Sequence, residues 1–342
     1  MIIRHTDSYH FIADSNTGIT FRWGKTVKDN PVWAPVPELA DISISNHCSK
    51  GCAFCYRDSR PNNEFMSLED YCFVLDSMTH KDLGRVFQVA LGGGEPLEHP
   101  QFLDIIDATI KRGIVPNFTT NGIFLTDEIC QLIKLKVGAV AVSISKVDEL
   151  RTETIKMLIM NGIRANIHYV LSEQNIKEAT EILKGEYNSL FYGVNAIIFL
   201  TYKPAGRASE RFILKLNSQL DEFLSKIDDK TIKRPRIGFD ACFVPMLLHS
   251  THINKNIVDS CEGGFFSVYV DHNLNVSPCS FSGAKDQYNL KEFDFYDIWN
   301  NRFREYRVRQ TNKCSAQCLG HDNCRGCCPY YPLITVCYEH TY

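Results

Sequence analysis

Short apolar runs and longer amphipathic segments alternate between residues 41 and 200. The apolar runs have the length of buried strands, and the segments between them repeat apolar residues every three or four positions, as helices do. Strands are predicted near residues 41–46, 86–91, 114–120, 139–145, 164–171 and 194–200, and helices near residues 68–79, 101–112, 126–136, 148–161 and 175–184. Because alternating strands and helices form a parallel sheet, six strands predict an α/β fold, a partial (β/α)6 TIM-like barrel with its chemistry at the carboxyl ends of the strands.

The chain before and after this region has a different pattern. Two short β-type runs, at residues 9–13 and 19–23, flank a Ser-Asn-Thr-Gly segment, which predicts a hairpin. After residue 235 the alternation ends and cysteines accumulate. We therefore predict three domains, which are an N-terminal β hairpin over residues 1–40, the partial barrel over 41–235 and a cysteine-rich domain over 236–342.

Composition narrows the possible functions. The 342 residues are 44% hydrophobic and carry a formal net charge of −3, which suits globular domains with a sizeable core. Lys and Arg are balanced by Asp and Glu without a basic stripe, so we expect no nucleic-acid partner. The first residues lack the apolar stretch of a signal peptide, and no run reaches the roughly 18 apolar residues of a membrane span, which predicts a cytoplasmic protein. In that compartment 14 cysteines are expected to bind metal rather than to form disulfides.

The most informative motif is formed by Cys48, Cys52 and Cys55, which directly follow the first predicted barrel strand. Three thiolates on one loop can hold three irons of a 4Fe-4S cluster and leave the fourth iron open to a ligand. A cluster used only for electron transfer normally has four cysteines, and structural zinc prefers two ligand pairs from separate segments. The spacing favours a reactive cluster, and zinc is the open alternative for this motif alone.

A glycine-rich segment that contains Gly93, Gly94 and Glu95 follows the strand at 86–91, about forty residues beyond the cysteine loop. Glycines allow backbone carbonyls to approach a ligand closely, and a carboxylate accepts charge-assisted hydrogen bonds from an ammonium. Together the two motifs resemble the radical S-adenosylmethionine (SAM) enzymes. The resemblance implies that the cysteine loop holds a 4Fe-4S cluster and that Gly93, Gly94 and Glu95 bind the amino group of SAM.

The same resemblance implies further SAM contacts near the strand ends. Ser143 and Ser145 alternate on one strand and point to one face, where they would help to hold the carboxylate and ribose, with Asn121 as a further contact. The backbone at Tyr56, straight after the last loop cysteine, would contact the adenine, and packing is the alternative role for this residue. The next strand carries three alternating polar residues that are further candidate cofactor contacts: Arg164, Asn166 and His168. Hydrogen bonding within the barrel is the alternative role for them.

A second group of cysteines lies after residue 235. The strand-turn segment that ends at Cys279 and the run Cys318, Cys324 and Cys328 resemble a SPASM domain, the C-terminal extension that gives a subgroup of radical SAM enzymes two auxiliary 4Fe-4S clusters. Two positions depart from the usual pattern. Leu274 occupies a turn position where glycine is usual, and three residues rather than two separate Cys314 from Cys318.

Two complete clusters need eight thiolates, and the resemblance implies how they are shared. One cluster would use Cys242, Cys261, Cys279 and Cys328, and the other would use Cys314, Cys318, Cys324 and Cys337. Cys327 is left over, and whether Cys327 or Cys328 is the ligand is open. A single zinc ion or a one-cluster domain is the rival interpretation, although it leaves about half of these cysteines without a role. Cys72 and Cys130 fall on apolar faces of predicted helices and are assigned to the core.

The resemblance implies an oxidoreductase that cleaves SAM to a 5′-deoxyadenosyl radical, with an electron from a donor such as flavodoxin or ferredoxin, and that crosslinks a ribosomally made peptide. Ser280 stands where sulfatase-maturing relatives carry an aspartate base, which argues against formylglycine formation. Residues 1–40 are too few for a winged-helix leader-binding element, so a leader would dock on a separate leader-binding protein or on the hairpin.

Three alternatives remain open. The first is a peptide epimerase, in which Cys327 returns a hydrogen atom to the substrate. The second is a small-molecule dehydrogenase of the same superfamily. The third is a non-catalytic iron-sulfur electron carrier, which has no use for the glycine-rich segment.

Overall fold

The computed structural model describes residues 1–227, 229, 231–249, 253–254, 258–311 and 324–337. The strands are β1 (Ile2–His5), β2 (His10–Ala13), β3 (Thr20–Trp23), β4 (Leu39–Ser45), β5 (Gln88–Gly93), β6 (Val115–Thr120), β7 (Val140–Ile144), β8 (Ala165–Leu171), β9 (Ala196–Thr201), β10 (Arg236–Phe239), β11 (Ser267–Val270), β12 (Asn275–Ser277) and β13 (Tyr288–Asn289). The helices are α1 (Leu68–Ser77), α2 (Phe102–Lys111), α3 (Asp127–Ile133), α4 (Thr152–Met160), α5 (Ile176–Lys184), α6 (Ser218–Ser225), α7 (Val244–His249), α8 (Phe295–Asp297) and α9 (Phe303–Thr311). Within these ranges, no helix has both the length and the apolar character needed to cross a lipid bilayer.

The large sheet has the strand order β10-β9-β8-β7-β6-β5-β4-β11-β12-β13. Strands β4 to β10 are parallel neighbours in chain order, β11 pairs in parallel with the other edge of β4, and β12 and β13 continue in antiparallel pairs. Each strand and helix predicted between residues 41 and 201 is present, and the predicted α/β fold with a parallel sheet is confirmed. The sheet is wider than the six strands expected, because β10 and β11 extend its parallel part into the cysteine-rich region.

The two faces of the parallel sheet differ in polarity. Ala40, Ile42 and Ile44 of β4 lie in the main apolar core together with side chains of α1 and α2. The residues between them point to the opposite face, because successive side chains of a strand alternate. On β4 these residues are Asp41 and Ser43. The neighbouring strands place further polar side chains on the same inner face: Asn117, Thr119, Ser143, Asn166 and His168. The inner face therefore carries the groups that are available for chemistry.

The N-terminal sheet rests on the large sheet and on the cysteine-rich region. Strands β2 and β3 form the predicted hairpin, and β1, which was not predicted, adds a third antiparallel strand. The Tyr9 hydroxyl donates to Glu38 Oε1 at 2.9 Å. The Arg22 guanidinium donates to Glu38 at 3.0 Å and to Glu262, the neighbour of Cys261, at 2.7 Å. These contacts connect residues 1–23 to both of the regions where the sequence predicts cofactor ligands.

Candidate functional site

The Cys48 loop, residues 46–60, leaves the carboxyl end of β4. Backbone hydrogen bonds close it, because Cys48 N donates to Arg60 O at 3.2 Å and Cys55 N donates to Cys52 O at 3.2 Å. Burial raises the pKa of Cys48 and of Cys52, and the neighbouring thiols raise it further, Cys52 for Cys48 and Cys55 for Cys52. The three thiols are therefore close enough to interact electrostatically. Iron cations would reverse this shift and stabilise the thiolates.

The glycine-rich end of β5 presses against the residues that lead into this loop. Gly94 N donates to Ser45 O at 2.8 Å, and Glu95 N donates to His47 O at 2.9 Å. A Cβ atom at Gly94 would lie 1.8 Å from His47 O, and one at Gly93, where φ is +106°, would lie 2.1 Å from Ser43 Oγ. Only glycine permits this approach. The two predicted SAM-binding glycines thus join the strand end to the Cys48 loop.

Glu95 bridges the ends of β5 and β6. Its side chain is 1% exposed. Oε1 accepts hydrogen bonds from Thr120 Oγ1 at 2.7 Å and Leu97 N at 3.1 Å, and Oε2 accepts one from Asn121 N at 2.7 Å. Burial raises the pKa of Glu95, and these hydrogen bonds oppose the shift. A carboxylate can accept about four hydrogen bonds, so Glu95 retains the capacity to accept one from a further donor such as an ammonium. The contact of Glu95 with SAM stays a prediction. The structure shows a second role for Glu95, which is to connect the ends of β5 and β6.

Asn121 presents an unpaired donor at the same strand ends. Its Oδ1 accepts a hydrogen bond from Ile123 N at 2.9 Å, whereas its buried Nδ2 has no partner within the part of the chain that the structure describes. A buried N–H group without a partner is uncommon, and a ligand is one physical explanation. The position of this amide fits a polar ligand beside Glu95.

Ser143 and Ser145 occupy different surroundings, although both lie at the end of β7. The Ser145 hydroxyl donates to Glu149 Oε1 at 2.9 Å, and Glu149 Oε2 lies 4.0 Å from Lys50 Nζ of the Cys48 loop. Ser143 is paired in register with His168 on the inner face. Burial lowers the pKa of His168 to about 4, so this ring is neutral near pH 7. Glu149 thus connects Ser145 to Lys50 of the Cys48 loop, whereas Ser143 lies beside the neutral ring of His168.

Two residues that the sequence did not single out also hold the Cys48 loop. Arg207, in the loop after β9, donates from Nε to Cys52 O at 3.0 Å and from one terminal nitrogen to Asp58 Oδ1 at 2.9 Å. At Gly206, where φ is +59°, a Cβ would lie 2.5 Å from Cys55 O. The Pro-Ala-Gly-Arg run, which begins four residues after the predicted strand at 194–200, was the available signal, because strand-end loops of parallel sheets build the sites.

A cavity of about 910 Å³ lies beside β10 and β11 and is lined by five cysteines: Cys242, Cys261, Cys279, Cys327 and Cys328. Burial raises the pKa of Cys242, Cys261 and Cys279, and Cys328 adds to the shift of each. The four thiols predicted for one cluster therefore converge on one cavity. Cys327 is buried and lines the same cavity.

The other predicted ligand set is only partly described. Cys314 and Cys318 lie outside the described residues. The Cys324 sulfur accepts a hydrogen bond from Gly326 N at 3.3 Å, and Cys337 is buried. Among the described side chains, no three His, Cys, Asp or Glu residues are arranged to hold a single metal ion. Cys130 is fully buried, as expected, and Cys72 is half-buried in α1.

The Cys48 loop and the cysteine cavity are adjacent. The rings of Tyr56 and Phe281 lie 4.6 Å apart between centroids, so the residue after Cys55 touches the segment that follows Cys279. Burial raises the pKa of Tyr56 to about 12, while a hydrogen bond with Ser280 opposes the shift. The side chain of Tyr56 thus packs against the cysteine cavity, and its predicted backbone contact with adenine stays a prediction.

Asp41 stands out among the acidic residues of the cavity. The other four accept hydrogen bonds within the described chain: Asp229, Asp240, Asp259 and Glu262. Burial raises the pKa of Asp41 to about 6, and Arg57 opposes the shift. Within the same described residues, Asp41 accepts no hydrogen bond. Its carboxyl group therefore faces the cavity without a fixed partner, where the Cys48 loop meets the cysteine cavity.

Comparisons with known proteins agree with this geometry. Residues 42–199 match the sequence model of the Radical SAM superfamily. Mycofactocin maturase MftC of Mycobacterium tuberculosis is 22% identical over 305 residues, which cover 82% of this chain and 75% of that protein. The antilisterial bacteriocin subtilosin biosynthesis protein AlbA of Bacillus subtilis is 27% identical over 334 residues, which cover 89% of this chain and 68% of that protein.

Solved structures share the fold. Streptococcus suis SuiB bound to S-adenosylmethionine matches with a TM-score of 0.66 at 18% identity, over 86% of this chain and 73% of that one. SuiB bound to precursor peptide SuiA matches with a TM-score of 0.64 at 18% identity, over 91% of this chain and 73% of that one. The residues matched by the family include the Cys48 loop and the strand ends that face it. The comparisons support SAM and one 4Fe-4S cluster as cofactors, and residues 42–199 form a domain of the radical SAM superfamily.

Proposed function

We propose that this chain is a peptide-modifying radical SAM enzyme of the SPASM subgroup, which crosslinks a ribosomally made peptide by removing two hydrogens. The observation that carries the proposal is the adjacency of two thiol sites at one end of the sheet. The Cys48 loop and the cavity lined by Cys242, Cys261, Cys279 and Cys328 meet where Tyr56 contacts Phe281. One site suits the generation of a radical, and the other suits the removal of an electron from the product radical.

In this proposal, Cys48, Cys52 and Cys55 hold the cluster that binds SAM. When bound, the cluster and SAM supply a 5′-deoxyadenosyl radical that removes a hydrogen atom from the substrate. The Asn121 Nδ2 group donates to SAM in this proposal, which is supported by its lack of a partner within the described residues. Glu95 retains capacity to accept from the SAM ammonium, and the close approach of Gly93 and Gly94 fixes their backbone near the Cys48 loop. These residues bind and orient the cofactor.

The C-terminal cysteines are proposed to hold two auxiliary 4Fe-4S clusters. The set Cys242, Cys261, Cys279 and Cys328 is supported by the shared cavity and by the contribution of Cys328 to the raised pKa of each of the other three thiols. The second set contains two cysteines within the described residues, Cys324 and Cys337. A flavodoxin or ferredoxin is the proposed electron donor, and a separate leader-binding protein is the proposed partner for the substrate.

The names of related proteins support a peptide substrate. MftC is called a maturase, AlbA is a bacteriocin biosynthesis protein, and SuiB was solved with a precursor peptide. A cavity of about 910 Å³ beside the thiols leaves room for a peptide side chain in addition to a cluster. An electron carrier without a substrate would not require such a cavity.

The test is reaction of the anaerobically reconstituted chain with SAM and a short precursor peptide encoded beside its gene. We expect 5′-deoxyadenosine and a peptide product lighter by two hydrogens, measured by mass spectrometry. The reconstituted chain should contain about 12 irons if three 4Fe-4S clusters are complete. Cys72→Ala is the matched control, because Cys72 lies in α1 outside both thiol sites. SAM cleavage without any change in the peptide would contradict the crosslinking function.

Peptide epimerisation is the second candidate, because Cys327 is a buried cysteine in the same cavity. A thiol can return a hydrogen atom to a carbon radical, since its S–H bond is weak. A product that has unchanged mass in H2O, gains one deuterium in D2O and is absent with Cys327→Ala would favour epimerisation over crosslinking.

A further inference from the structure

Lys203 is a buried cation at the edge of the cysteine cavity. It follows β9 by two residues, and 8% of its surface is exposed. Its Nζ donates to Thr201 O at 3.1 Å, lies 2.9 Å from Asp240 Oδ2 and lies 4.4 Å from the centroid of the Phe281 ring. Lys203 lines the cavity together with Cys242 and Cys279. A buried ammonium in this place requires an explanation, because burial of a charge is unfavourable.

The ion pair with Asp240 does not by itself explain the lysine. Asp240 precedes Cys242 by two residues and also accepts hydrogen bonds from Thr201 N at 3.1 Å and Thr201 Oγ1 at 2.7 Å. The connection between β9 and the Cys242 segment therefore persists without Lys203. What Lys203 adds is a positive charge at the edge of the cavity that Cys242 and Cys279 line.

The Asp240 carboxylate, 2.9 Å from Nζ, stabilises the charged form of Lys203. Burial lowers the pKa of Lys203, whereas Asp240 raises it through its charge and its hydrogen bond. In turn, burial raises the pKa of Cys242, Lys203 opposes the shift and Asp240 adds to it. The lysine and the aspartate therefore act on the thiol site with opposite signs.

Reduction adds one negative charge to an iron-sulfur cluster, so a nearby buried cation stabilises the reduced form and a nearby carboxylate destabilises it. We propose that Lys203 raises the reduction potential of the cluster held by Cys242, Cys261, Cys279 and Cys328, and that Asp240 limits this effect. The inference rests on the proposed function, because it requires a cluster at these four cysteines. In this inference, the Lys203-Asp240 pair sets the reduction potential at which this cluster accepts an electron.

The test is an anaerobic redox titration followed by electron paramagnetic resonance. It uses the full chain with Cys48, Cys52 and Cys55 replaced by Ala, so that the SAM-binding cluster does not contribute. The signal that Cys242→Ala removes is assigned to the cavity cluster. In this background Lys203→Met should shift the midpoint potential of that signal downward, and Asp240→Asn should shift it upward. Lys203→Arg, which keeps the charge, should leave it nearly unchanged.

The opposite signs separate charge from structure. If the pair only positions the Cys242 segment, the two substitutions disturb the same segment and do not shift the potential in opposite directions. Equal signs, or no shift, would overturn the role of Lys203 while leaving the cluster intact. If Lys203→Met loses iron, Lys203→Gln and Asp240→Asn decide by the same criterion. If Cys242→Ala removes no iron-sulfur signal, the proposed cluster itself is wrong, and the inference falls with it.

Discussion

The Cys48 loop and the cysteine cavity contain similar ligands but are built in different ways. The three cysteines of the loop lie within eight consecutive residues, and backbone hydrogen bonds within residues 46–60 position them. The cavity draws Cys242, Cys261, Cys279 and Cys328 from nearly ninety residues of sequence. These cysteines meet only because β10 pairs with β9 and β11 pairs with β4. The first site is local, whereas the second depends on the tertiary fold.

This difference predicts how each site fails, and the largest effects are expected from the thiols themselves. Replacing Cys48, Cys52 and Cys55 together by Ala should abolish SAM cleavage and remove about a third of the iron, because one of three clusters lacks its ligands. Cys242→Ala with Cys279→Ala should remove iron but retain SAM cleavage. Iron content and 5′-deoxyadenosine are the measurements. Tightly bound zinc, or unchanged iron in the triple variant, would contradict the assignment of a 4Fe-4S cluster to Cys48, Cys52 and Cys55.

A smaller but selective effect is expected at the glycine-rich strand end. Gly94→Ala places a Cβ 1.8 Å from His47 O, so the loop must move, at a cost of about 1–3 kcal/mol. We expect reduced SAM binding and a lower unfolding temperature, with the cavity cluster retained. Gly92→Ala is the matched control, because its Cβ would meet nothing within 4 Å. Equal effects of the two substitutions would show that the close contact with the Cys48 loop is unimportant.

At Glu95 the structure adds a second role to the expected one. Glu95→Gln should weaken SAM binding by about 1.5–3 kcal/mol, the typical contribution of a charged hydrogen bond, with the iron content unchanged. Because Glu95 also accepts hydrogen bonds from Thr120 and Asn121, the same substitution should lower stability. Thr120→Val removes a hydroxyl that donates to Glu95 and accepts from Gly122 N at 3.0 Å, and it should lower stability with little effect on SAM affinity. SAM affinity that is unchanged in Glu95→Gln would leave only the bridging role.

The parts of the fold that sequence predicts are those with a local signal. Strands β4 to β9 are apolar runs separated by amphipathic helices, and each was predicted. Strand β10 has four residues, one of them Gly238, and is defined by its pairing with β9 rather than by its own pattern. Strand β1 similarly exists through its pairing with β2.

The same limit applies to the candidate site. The cysteines and glycines could be selected from spacing, because their chemistry is tied to residue type. Arg207, Lys203 and Asp41 could not, because their importance arises from contacts with segments far away in the sequence. The unpaired Nδ2 group of Asn121 is likewise visible only once its surroundings are known.

The smallest predicted effect concerns Asp41, at the junction of the two sites. Its pKa is raised from 3.8 to about 6 by burial, opposed by Arg57, and Tyr56 and Tyr269 are its other titratable neighbours. A carboxyl group whose pKa is higher in the folded chain destabilises the fold where it is ionised. The cost is complete above about pH 6 and absent below about pH 3.8.

Asp41→Asn should therefore stabilise the protein at pH 8 by about 1–2 kcal/mol, allowing for partial exposure, and the gain should shrink at pH 5. Urea unfolding at the two pH values measures this difference. Asp271→Asn is the control, because Asp271 accepts hydrogen bonds from Asn273 and Asn275 and its replacement should destabilise at both pH values. A gain at Asp41 would mean that this carboxyl group is retained at the expense of stability, as expected for a group that serves the chemistry between the two sites. Destabilisation by Asp41→Asn at pH 8 would instead assign Asp41 to the scaffold.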